Sequence, residues 1–543
     1  MTGGTEGPAG SRNVAHGICR RRNGERRAAL IVESQDTCAA APARARVRHG
    51  FEPPRARGPR AGYLRAAPAC KVRGMSPELI ETDYLIVGAG AMGMAFADTL
   101  LTESNADIVI VDRLQRPGGH WNHAYPFVRL HLASTFYGVA SRPLGEDKVI
   151  AHGVNAGSYE LASAAEICSY FERVMNDTLL PSGRVRYFPM SDYKGLVEGE
   201  HRLASLLTGK PQRVRVRKKL VDATYTDTCV PSTHPPGFAV AEGVRCVPIN
   251  ALSTLTVPPG RYVVVGAGKT AIDACLWLLE QGVEPASIRW IKPREAWMQD
   301  RAHVQPKERS IGILSSFADA MEAAAGAESI DHLFERLSAA RVLVRVDERV
   351  KPTMYHCATV SAGELAQLRT IGDVVRLGRV KRIEPDRIEL EQGSVAARPD
   401  DLYVHCSSKG IHRRAPQPVF TDERITLQAV RWCAPAFSAA LIAHLEATRE
   451  GTAMKNAFSA PLPYPDSDRD WIPVFLGNMI HEFVCRSDAE LRAWTARCRM
   501  NPASSVAAYC KPQEEPWRSQ LDRMKQLGPA ALEKLQRFSS QLE

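Results

Sequence analysis

An apolar, strand-like segment that leads directly into a glycine-rich turn and then a helix-like segment occurs twice in this sequence of 543 residues. The first copy runs from Tyr84–Val87 through Gly88, Gly90 and Gly93 into residues 94–101. In such a unit the first glycine makes the tight turn, the second lets backbone approach a pyrophosphate, and the third lets the helix pack on the strand. The free N–H groups and partial positive charge of the helix N-terminus favour phosphate. The motif predicts a dinucleotide site.

The next strand-like segment, Ile108–Val111, ends at Asp112. A carboxylate at this position can accept hydrogen bonds from an adenosine ribose and disfavours a 2′-phosphate. The order strand, glycine turn, helix, strand and acid is far more specific than the glycine pattern alone, and it fits the AMP half of FAD.

The second copy begins with the strand-like segment 262–265. Its turn residues are Gly266, Gly268 and Ala271. The following strand-like segment, 287–291, ends in Lys292 and Arg294 with no carboxylate. Cations at this corner suit the 2′-phosphate of NADP, so NADP is favoured over NAD. The alternative is that both side chains only cover the surface.

Two dinucleotide sites of different charge preference in one chain predict that FAD and NADPH are both bound. A flavin beside a nicotinamide implies hydride transfer between them, with the chemistry supplied by the cofactors and the positioning by the protein.

Strand-like and helix-like segments alternate through the chain, which predicts α/β layers. The expected fold is α/β, with two Rossmann-like domains for FAD and NADP in a three-layer ββα architecture, and a mainly helical C-terminal region. The predicted divisions are a disordered basic leader at 1–75, an FAD-binding domain in two parts at 76–255 and 376–435, an NADP-binding domain at 256–375, and a helical region at 436–543.

Charge and cysteine patterns narrow the function classes. Residues 1–75 carry the whole net charge of +10, so the remainder offers no overall cationic field for nucleic acid. The leader is expected to be disordered, with a transit peptide or an upstream start before Met75 as alternatives. The thirteen cysteines form no Cys-x-x-Cys pair, which predicts free thiols in a reducing, cytoplasmic compartment. No segment has the length and character of a membrane-spanning helix, and no metal site is expected.

Two short segments after Asp112 resemble those of a known protein family. Arg-Pro-Gly-Gly-His-Trp, with Gly118, Gly119 and Trp121, resembles the Gly-Gly-x-Trp segment of flavin-containing and Baeyer–Villiger monooxygenases. The segment from Tyr125 is similar to the Tyr-Pro-Gly-x-Arg-x-Asp segment of the Baeyer–Villiger enzymes, with His131 in the aspartate position. The resemblance implies that these residues lie along the flavin.

A second segment extends the resemblance, and a missing one limits it. Residues 401–410, with Ser407 and Gly410, resemble the strand and small-residue turn at which the chain of this family returns to its FAD domain. The Baeyer–Villiger fingerprint Phe-x-Gly-x-x-x-His-x-x-x-Trp has no match in 230–262, which weakens ester-forming oxygenation specifically.

The resemblance implies a monooxygenase that uses NADPH, O2 and a C4a-peroxyflavin to oxygenate a small organic substrate. Asn122, His131 and Arg301 are the candidate catalytic residues, His131 because histidine can titrate near neutral pH. Two alternatives stay open: an NAD(P)H-dependent flavin reductase or oxidase without oxygen insertion, and a non-catalytic nucleotide-binding protein. The substrate and the oligomeric state are not predicted.

Overall fold

The computed structural model describes residues 79–542, which belong to one compact unit, so the predicted leader at 1–75 lies outside the described residues. Among residues 79–542, no helix combines the length and the apolar character that crossing a bilayer requires. Strands and helices alternate along this part of the chain, and the predicted α/β fold is confirmed.

The strands are, in chain order, β1 (Leu79–Val87), β2 (Ile108–Val111), β3 (Val185–Phe188), β4 (Ser191–Val197), β5 (Glu200–Ser205), β6 (Pro211–Asp222), β7 (Ala239–Val240), β8 (Cys246–Pro248), β9 (Arg261–Val265), β10 (Ile288–Ile291), β11 (Ala296–Asp300), β12 (Leu343–Val344), β13 (Met354–Val360), β14 (Asp373–Val375), β15 (Val380–Ile383), β16 (Arg387–Leu390), β17 (Gly393–Ala396), β18 (Asp401–His405) and β19 (Arg424–Thr426).

The α-helices are α1 (Ala91–Glu103), α2 (Ala164–Val174), α3 (Lys269–Glu280), α4 (Ile311–Ala325), α5 (Ile330–Ala339), α6 (Ala362–Leu368), α7 (Pro435–Thr448), α8 (Thr452–Phe458), α9 (Trp471–Ser487), α10 (Ala489–Arg497), α11 (Pro502–Tyr509) and α12 (Trp517–Ser540).

The first sheet has the order β3-β2-β1-β6-β5-β4, and β19 pairs with β6. Strands β3, β2, β1, β6 and β19 are parallel, whereas β4, β5 and β6 form an antiparallel meander. Helices α1 and α7 pack against each other beside this sheet and share one apolar core with α2. The strand–loop–helix unit β1-α1-β2 therefore lies at the centre of a parallel sheet, as a Rossmann-like unit requires.

The second sheet has the order β14-β10-β9-β18-β8, and all of its strands are parallel. Its central unit is β9-α3-β10, the second copy of the motif. The apolar face of α3 packs in a core with β9, β10 and β18. Two smaller sheets, β12-β11-β13 and β17-β16-β15-β7, flank it. The antiparallel pair β15–β16 encloses Pro385 and Asp386, a turn pattern that is evident in the sequence.

The chain returns to the first sheet later than the sequence predicts. Strand β18, which the resemblance places at that return, pairs with β8 and β9 of the second sheet. A buried ion pair fixes this pairing, because the Arg261 guanidinium donates to both carboxylate oxygens of Asp401 at 2.8 and 2.7 Å. The return strand is β19, and β8 already belongs to the second sheet. The predicted boundaries at 256 and 376 are therefore displaced.

Two of the cysteines expected to be free are paired. Cys357 in β13 and Cys433 just before α7 form a disulfide across a sequence separation of 76 residues, with their Cα atoms 6.3 Å apart. A spacing rule that looks for local pairs cannot find such a contact, because the fold and not the sequence interval brings the two residues together.

Candidate functional site

The first glycine loop, Gly88–Gly93, has the backbone geometry that the motif predicts. Gly88 has φ of 107° and its N–H donates to the Val111 carbonyl at 2.8 Å. A Cβ atom at Gly93 would lie 2.0 Å from the Gly88 carbonyl oxygen, so only glycine permits this contact between helix and strand. Gly90 precedes α1 and supplies no side-chain cap, which leaves the first N–H groups of the helix to a ligand.

Asp112 lies at the corner beside this loop. One carboxylate oxygen accepts a hydrogen bond from the Ala89 N–H at 2.6 Å and the other from the Leu114 N–H at 2.7 Å. Burial raises the pKa of Asp112, and the two amide hydrogen bonds oppose it only in part. Each oxygen keeps a further lone pair for a ribose hydroxyl, so the position fits the predicted role.

Gly118 and Gly119 pack directly on the first glycine loop. The Gly118 N–H donates to the Ala89 carbonyl at 2.8 Å. A Cβ atom at Gly119 would lie 3.0 Å from the Gly90 Cα atom, and both glycines have positive φ, 118° and 58°. This close approach explains why two successive glycines occur here.

Trp121 and Asn122 follow in a short 3₁₀ turn. The Trp121 indole N–H donates to the Tyr137 hydroxyl at 2.7 Å. The Asn122 amide N–H group contacts the carbonyls of residues 116, 117 and 119 at 3.1 to 3.3 Å, whereas its buried oxygen has no partner in the described chain. Both residues line a cavity of about 240 Å³ with Cys168. An unpartnered acceptor at a cavity wall can still serve a ligand.

The segment 118–131 connects two modules. The first module is the first sheet with β1, the first glycine loop and α1, and the second module is the second sheet with β9, the second glycine loop and α3. The Tyr125 hydroxyl donates to Asp273 of α3 at 2.6 Å. Phe127 stacks on Trp277 of the same helix, with ring centroids 4.4 Å apart and an interplanar angle of 13°. One short segment therefore contacts the first glycine loop at one end and the glycine-bounded helix α3 at the other.

The second glycine loop, Gly266–Ala271, repeats the first with one change. Gly266 has φ of 145°, and a Cβ atom there would lie 2.5 Å from the Cys406 carbonyl oxygen. Trp290 holds the loop by donating its indole N–H to the Gly266 carbonyl at 2.8 Å. Gly268 precedes α3 without a side-chain cap, and the buried Ala271 occupies the third glycine position.

The structure contradicts Lys292 as a phosphate ligand. Its side chain is 3% exposed, and its ammonium contacts both carboxylate oxygens of Glu295 at 2.6 and 2.8 Å. The charge of an ammonium buried in this way is balanced by the carboxylate inside the protein, and the ammonium does not face a ligand. Arg294 is partly exposed but contacts Asp466 at 2.8 and 3.3 Å. The sequence identified the cations and missed the carboxylates that face them.

Ser407 and Gly410 lie on the loop after β18. The Ser407 hydroxyl is 3.1 Å from His405 Nδ1, and the Gly410 carbonyl accepts from the Cys229 N–H at 2.8 Å. Because the neighbouring Cys406 contacts Gly266, this loop begins beside the second glycine loop.

A cavity of about 950 Å³ opens beside α3. Lys269, Asp273 and Trp277 form one wall, and residues of the first module between 127 and 173 form the other. Lys269 forms an ion pair with Asp273 four residues along the helix. The cavity thus begins at the N-terminus that follows the second glycine loop and reaches the segment that touches the first.

Arg301 forms part of the cavity wall but is not free. It is 1% exposed, and its guanidinium pairs with Glu364 at 2.9 Å and contacts Asn155. It also donates to the carbonyls of His131 and Thr359 at 3.0 and 3.3 Å. Burial alone would raise the pKa of Glu364, but the charges of Arg301 and Lys269 outweigh it and lower the pKa. Arg301 is a residue that positions three chain segments.

His131 cannot serve the predicted proton transfer near neutral pH. Burial, followed by the positive charges of Lys269 and Arg301, lowers its pKa to about 3. Its Nδ1 atom lies 3.3 Å from the Thr359 N–H and accepts a hydrogen bond from it. The imidazole is therefore neutral and held by β13, and the expectation that it titrates in the working pH range is wrong.

The residues that sequence reasoning missed are mostly partners of residues that it found. Glu364, Asn155 and Asp466 all bind predicted arginines. For Glu364 a local signal exists, because Ser361-x-x-Glu364 is a capping box and forms one at the start of α6. For Asp466 no local signal predicts its partner.

Comparisons with known proteins identify the first Rossmann-like unit and the family of the chain. A family model described as an NAD(P)-binding Rossmann-like domain matches residues 86–130, which include the first glycine loop and Asp112. The Uncharacterized protein Rv2000 of Mycobacterium tuberculosis (strain H37Rv) is 49% identical over 423 residues, which cover 78% of each chain. The protein belongs to the Rv2000 family. Uncharacterized protein Mb2023 of Mycobacterium bovis matches with the same identity and coverage.

Solved structures show more distant similarity to this member of the Rv2000 family. The open structure of cyclohexanone monooxygenase is 12% identical with a TM-score of 0.43, covering 79% of this chain and 98% of that chain. A flavin-containing monooxygenase from Stenotrophomonas maltophilia is 16% identical with a TM-score of 0.37, covering 66% and 88%. A bacillithiol disulfide reductase from Staphylococcus aureus is 12% identical with a TM-score of 0.35, covering 61% and 77%.

Proposed function

We propose that this protein is an FAD-containing, NADPH-dependent oxidoreductase that acts as a monooxygenase on a small organic substrate. The observation that carries the proposal is the segment 118–131, which packs on the first glycine loop through Gly119 and on α3 through Tyr125 and Phe127. Two phosphate-binding helix N-termini joined by one short segment can hold two dinucleotides near each other.

FAD fits the first module. The uncapped N-terminus of α1 would bind the pyrophosphate, and Asp112 would accept hydrogen bonds from the ribose. The positive-φ pair Gly118 and Gly119 leaves backbone without side chains beside the loop. Bound FAD would supply electron transfer from NADPH to O2.

The second module would bind NADPH. No side-chain hydrogen bond caps the N-terminus of α3, and Lys269 stands at its first position. Because the cavity of about 950 Å³ begins at Lys269, the nicotinamide end and the organic substrate would share it. A volume of this size matches the cavities that bind small molecules.

Protein side chains would exclude water and orient the ligands in this cavity. Phe127 and Trp277 stack on each other where the two walls meet, and the Arg301–Glu364 pair lines the cavity as a paired charge. Neutral His131 holds the backbone behind that wall and moves no proton near pH 7. Exclusion of water protects reactive intermediates of oxygen chemistry from hydrolysis and side reactions.

Isotope labelling distinguishes a monooxygenase from a reductase or oxidase on the same scaffold. The FAD-loaded protein is supplied with NADPH, ¹⁸O₂ and, separately, a tertiary amine, a thioether and a cyclic ketone. The proposal predicts that at least one probe accelerates NADPH consumption and gains one labelled oxygen atom. If every probe leaves the rate unchanged and all reducing equivalents appear as H₂O₂, the protein is an oxidase and the monooxygenase proposal fails.

A further inference from the structure

Asp466 forms an ion pair with Arg294, the partly exposed cation at the corner that follows β10. We propose that Asp466 is an internal competitor for the 2′-phosphate of NADPH and thereby sets the preference of the second module between NADPH and NADH. The inference rests on the proposed function, because it assumes that a nicotinamide dinucleotide binds at the second glycine loop.

Three donor side chains converge on the Asp466 carboxylate. Arg294 contacts both of its oxygens at 2.8 and 3.3 Å, His356 Nε2 lies 2.9 Å away, and Arg413 lies 3.7 Å away. The side chain of Asp466 is 44% exposed, so the cluster is open to solvent and to a ligand. A forked guanidinium with further donors beside it is the arrangement that recognises a phosphate as well as a carboxylate.

The position of Arg294 links this cluster to the nucleotide. Arg294 follows β10 by three residues, at the corner where Rossmann-like units read the 2′-position of the ribose. An acid at this corner favours the 2′-hydroxyl, and an arginine accommodates the 2′-phosphate. Here the arginine is local, and the acid comes from the loop between α8 and α9.

The remaining charges at the corner are already balanced. Lys292 pairs with Glu295, and Arg376 contacts Asp347 at 2.9 Å and Glu295 at 3.6 Å. A phosphate monoester carries nearly two negative charges near pH 7 and would therefore depend on Arg294 and Arg413. The hydrogen bonds from Arg294 hold the pKa of Asp466 well below its usual range, although burial acts to raise it. The Asp466 carboxylate therefore stays ionised.

Only the side chain of Asp466 can readily move. The Asp466 N–H donates to the Asp470 carboxylate at 2.7 Å, and the Asp466 carbonyl accepts from the Tyr355 N–H at 3.2 Å. Two anions cannot share the same guanidinium groups without repulsion. NADPH must therefore displace the Asp466 carboxylate from Arg294, whereas NADH leaves the contact intact.

The test is direct binding of two adenosine fragments to the FAD-loaded full chain by titration calorimetry. The probes are 2′,5′-ADP, which carries the 2′-phosphate, and 5′-AMP, which does not. Asp466→Asn keeps the shape of the side chain and removes its charge. We expect 2′,5′-ADP to bind about tenfold or more tightly to Asp466→Asn than to the wild type, while 5′-AMP changes less than about twofold.

Asp468→Asn is the matched control. Asp468 lies on the same loop, and no hydrogen bond or ion pair joins its side chain to Arg294 within the described residues. We expect both fragments to bind this variant as they bind the wild type. An equal gain for Asp466→Asn and Asp468→Asn would show a general charge effect and would overturn the proposal.

Arg413→Gln provides a second, opposite readout that does not depend on the folding of Asp466→Asn. We expect it to weaken 2′,5′-ADP several-fold and to spare 5′-AMP. An unchanged ratio of the two affinities in both Asp466→Asn and Arg413→Gln would contradict the inference while leaving the proposed function standing. Failure of the wild type to bind either fragment, NADH or NADPH would instead contradict the proposed function.

Discussion

The two glycine-loop modules share a motif but differ at the corner that follows the second strand. In the first module the corner residue, Asp112, hydrogen-bonds to its own glycine loop through the Ala89 N–H. In the second module Lys292 turns inward to Glu295, and Arg294 reaches Asp466, more than 170 residues away. A local motif therefore fixes the phosphate-binding backbone, and distant parts of the chain determine which charges a ligand meets.

The modules also differ in how closely helix and strand approach. Gly93 packs so closely against the Gly88 carbonyl oxygen that no Cβ atom fits there. At the same position the second module accommodates the Cβ atom of Ala271. The first module depends on its third glycine, and the second does not.

The largest expected effect comes from Gly93→Ala. The added Cβ atom would lie 2.0 Å from a backbone oxygen that cannot move aside. We expect a loss of about 4 kcal/mol or more in the free energy of unfolding, measured by urea denaturation, together with loss of bound flavin.

Ala271→Gly is the matched change in the second module. It adds no contact and introduces glycine into the interior of α3, so we expect a loss of only about 1 kcal/mol. Equal effects of Gly93→Ala and Ala271→Gly would contradict the difference between the modules.

A second prediction concerns the buried corner pair. Lys292→Met leaves the Glu295 carboxylate buried with Arg376 as its nearest cation, and we expect a loss of about 3 kcal/mol in the free energy of unfolding. The double variant Lys292→Met/Glu295→Leu should recover most of this loss, because no uncompensated charge remains.

Arg294→Met is the comparison for that pair. Its ion pair with Asp466 is partly exposed, and we expect a loss of less than about 1 kcal/mol. A larger loss for Arg294→Met than for Lys292→Met would show that the exposed contact, and not the buried one, stabilises the corner.

A third prediction uses pH to examine the cavity wall between the modules. The folded pKa of Glu364 lies below its ordinary value of 4.5. Its pairing with Arg301 therefore stabilises the protein fully above pH 4.5, and this stabilisation is lost as the pH falls further, through the folded pKa. We expect Glu364→Gln to be about 2 kcal/mol less stable than the wild type at pH 7. The difference should shrink on acidification, and a difference that grew instead would contradict the assigned ion pair.

The smallest expected effect is that of His131→Asn on the pH profile. Because the pKa of His131 is about 3, it stays neutral throughout the working range. We expect the rate of NADPH oxidation to keep the same pH dependence between about pH 6 and pH 8 in both proteins. If the wild type shows a titration step in this interval and His131→Asn does not, His131 carries a proton in the reaction and this prediction is wrong.

Much of the fold could be predicted because its signals are local. The glycine loops, Asp112 and the turn at Pro385 each lie within a few residues of the structure they specify. The partner of strand β18 could not be predicted, because Arg261 and Asp401 come together only in the folded sheet.

The same distinction holds for the candidate site. Arg294 and Arg301 were evident as cations after a strand. Whether their charges are available to a ligand depends on the ion pairs with Asp466 and Glu364. Likewise, His131 was evident as a titratable group, and only its burial beside Lys269 and Arg301 shows that its pKa is low. Pairing and burial arise from long-range contacts that residue spacing does not encode.

The central claim, that the first module holds FAD and the second delivers electrons from a nicotinamide dinucleotide, is tested most directly by anaerobic titration. The full chain is purified, loaded with FAD and mixed with NADPH in the absence of oxygen. The structure leads us to expect a yellow protein whose visible flavin absorbance is lost as one equivalent of NADPH is added. A protein that does not retain FAD, or whose bound FAD neither NADPH nor NADH can reduce, would contradict it.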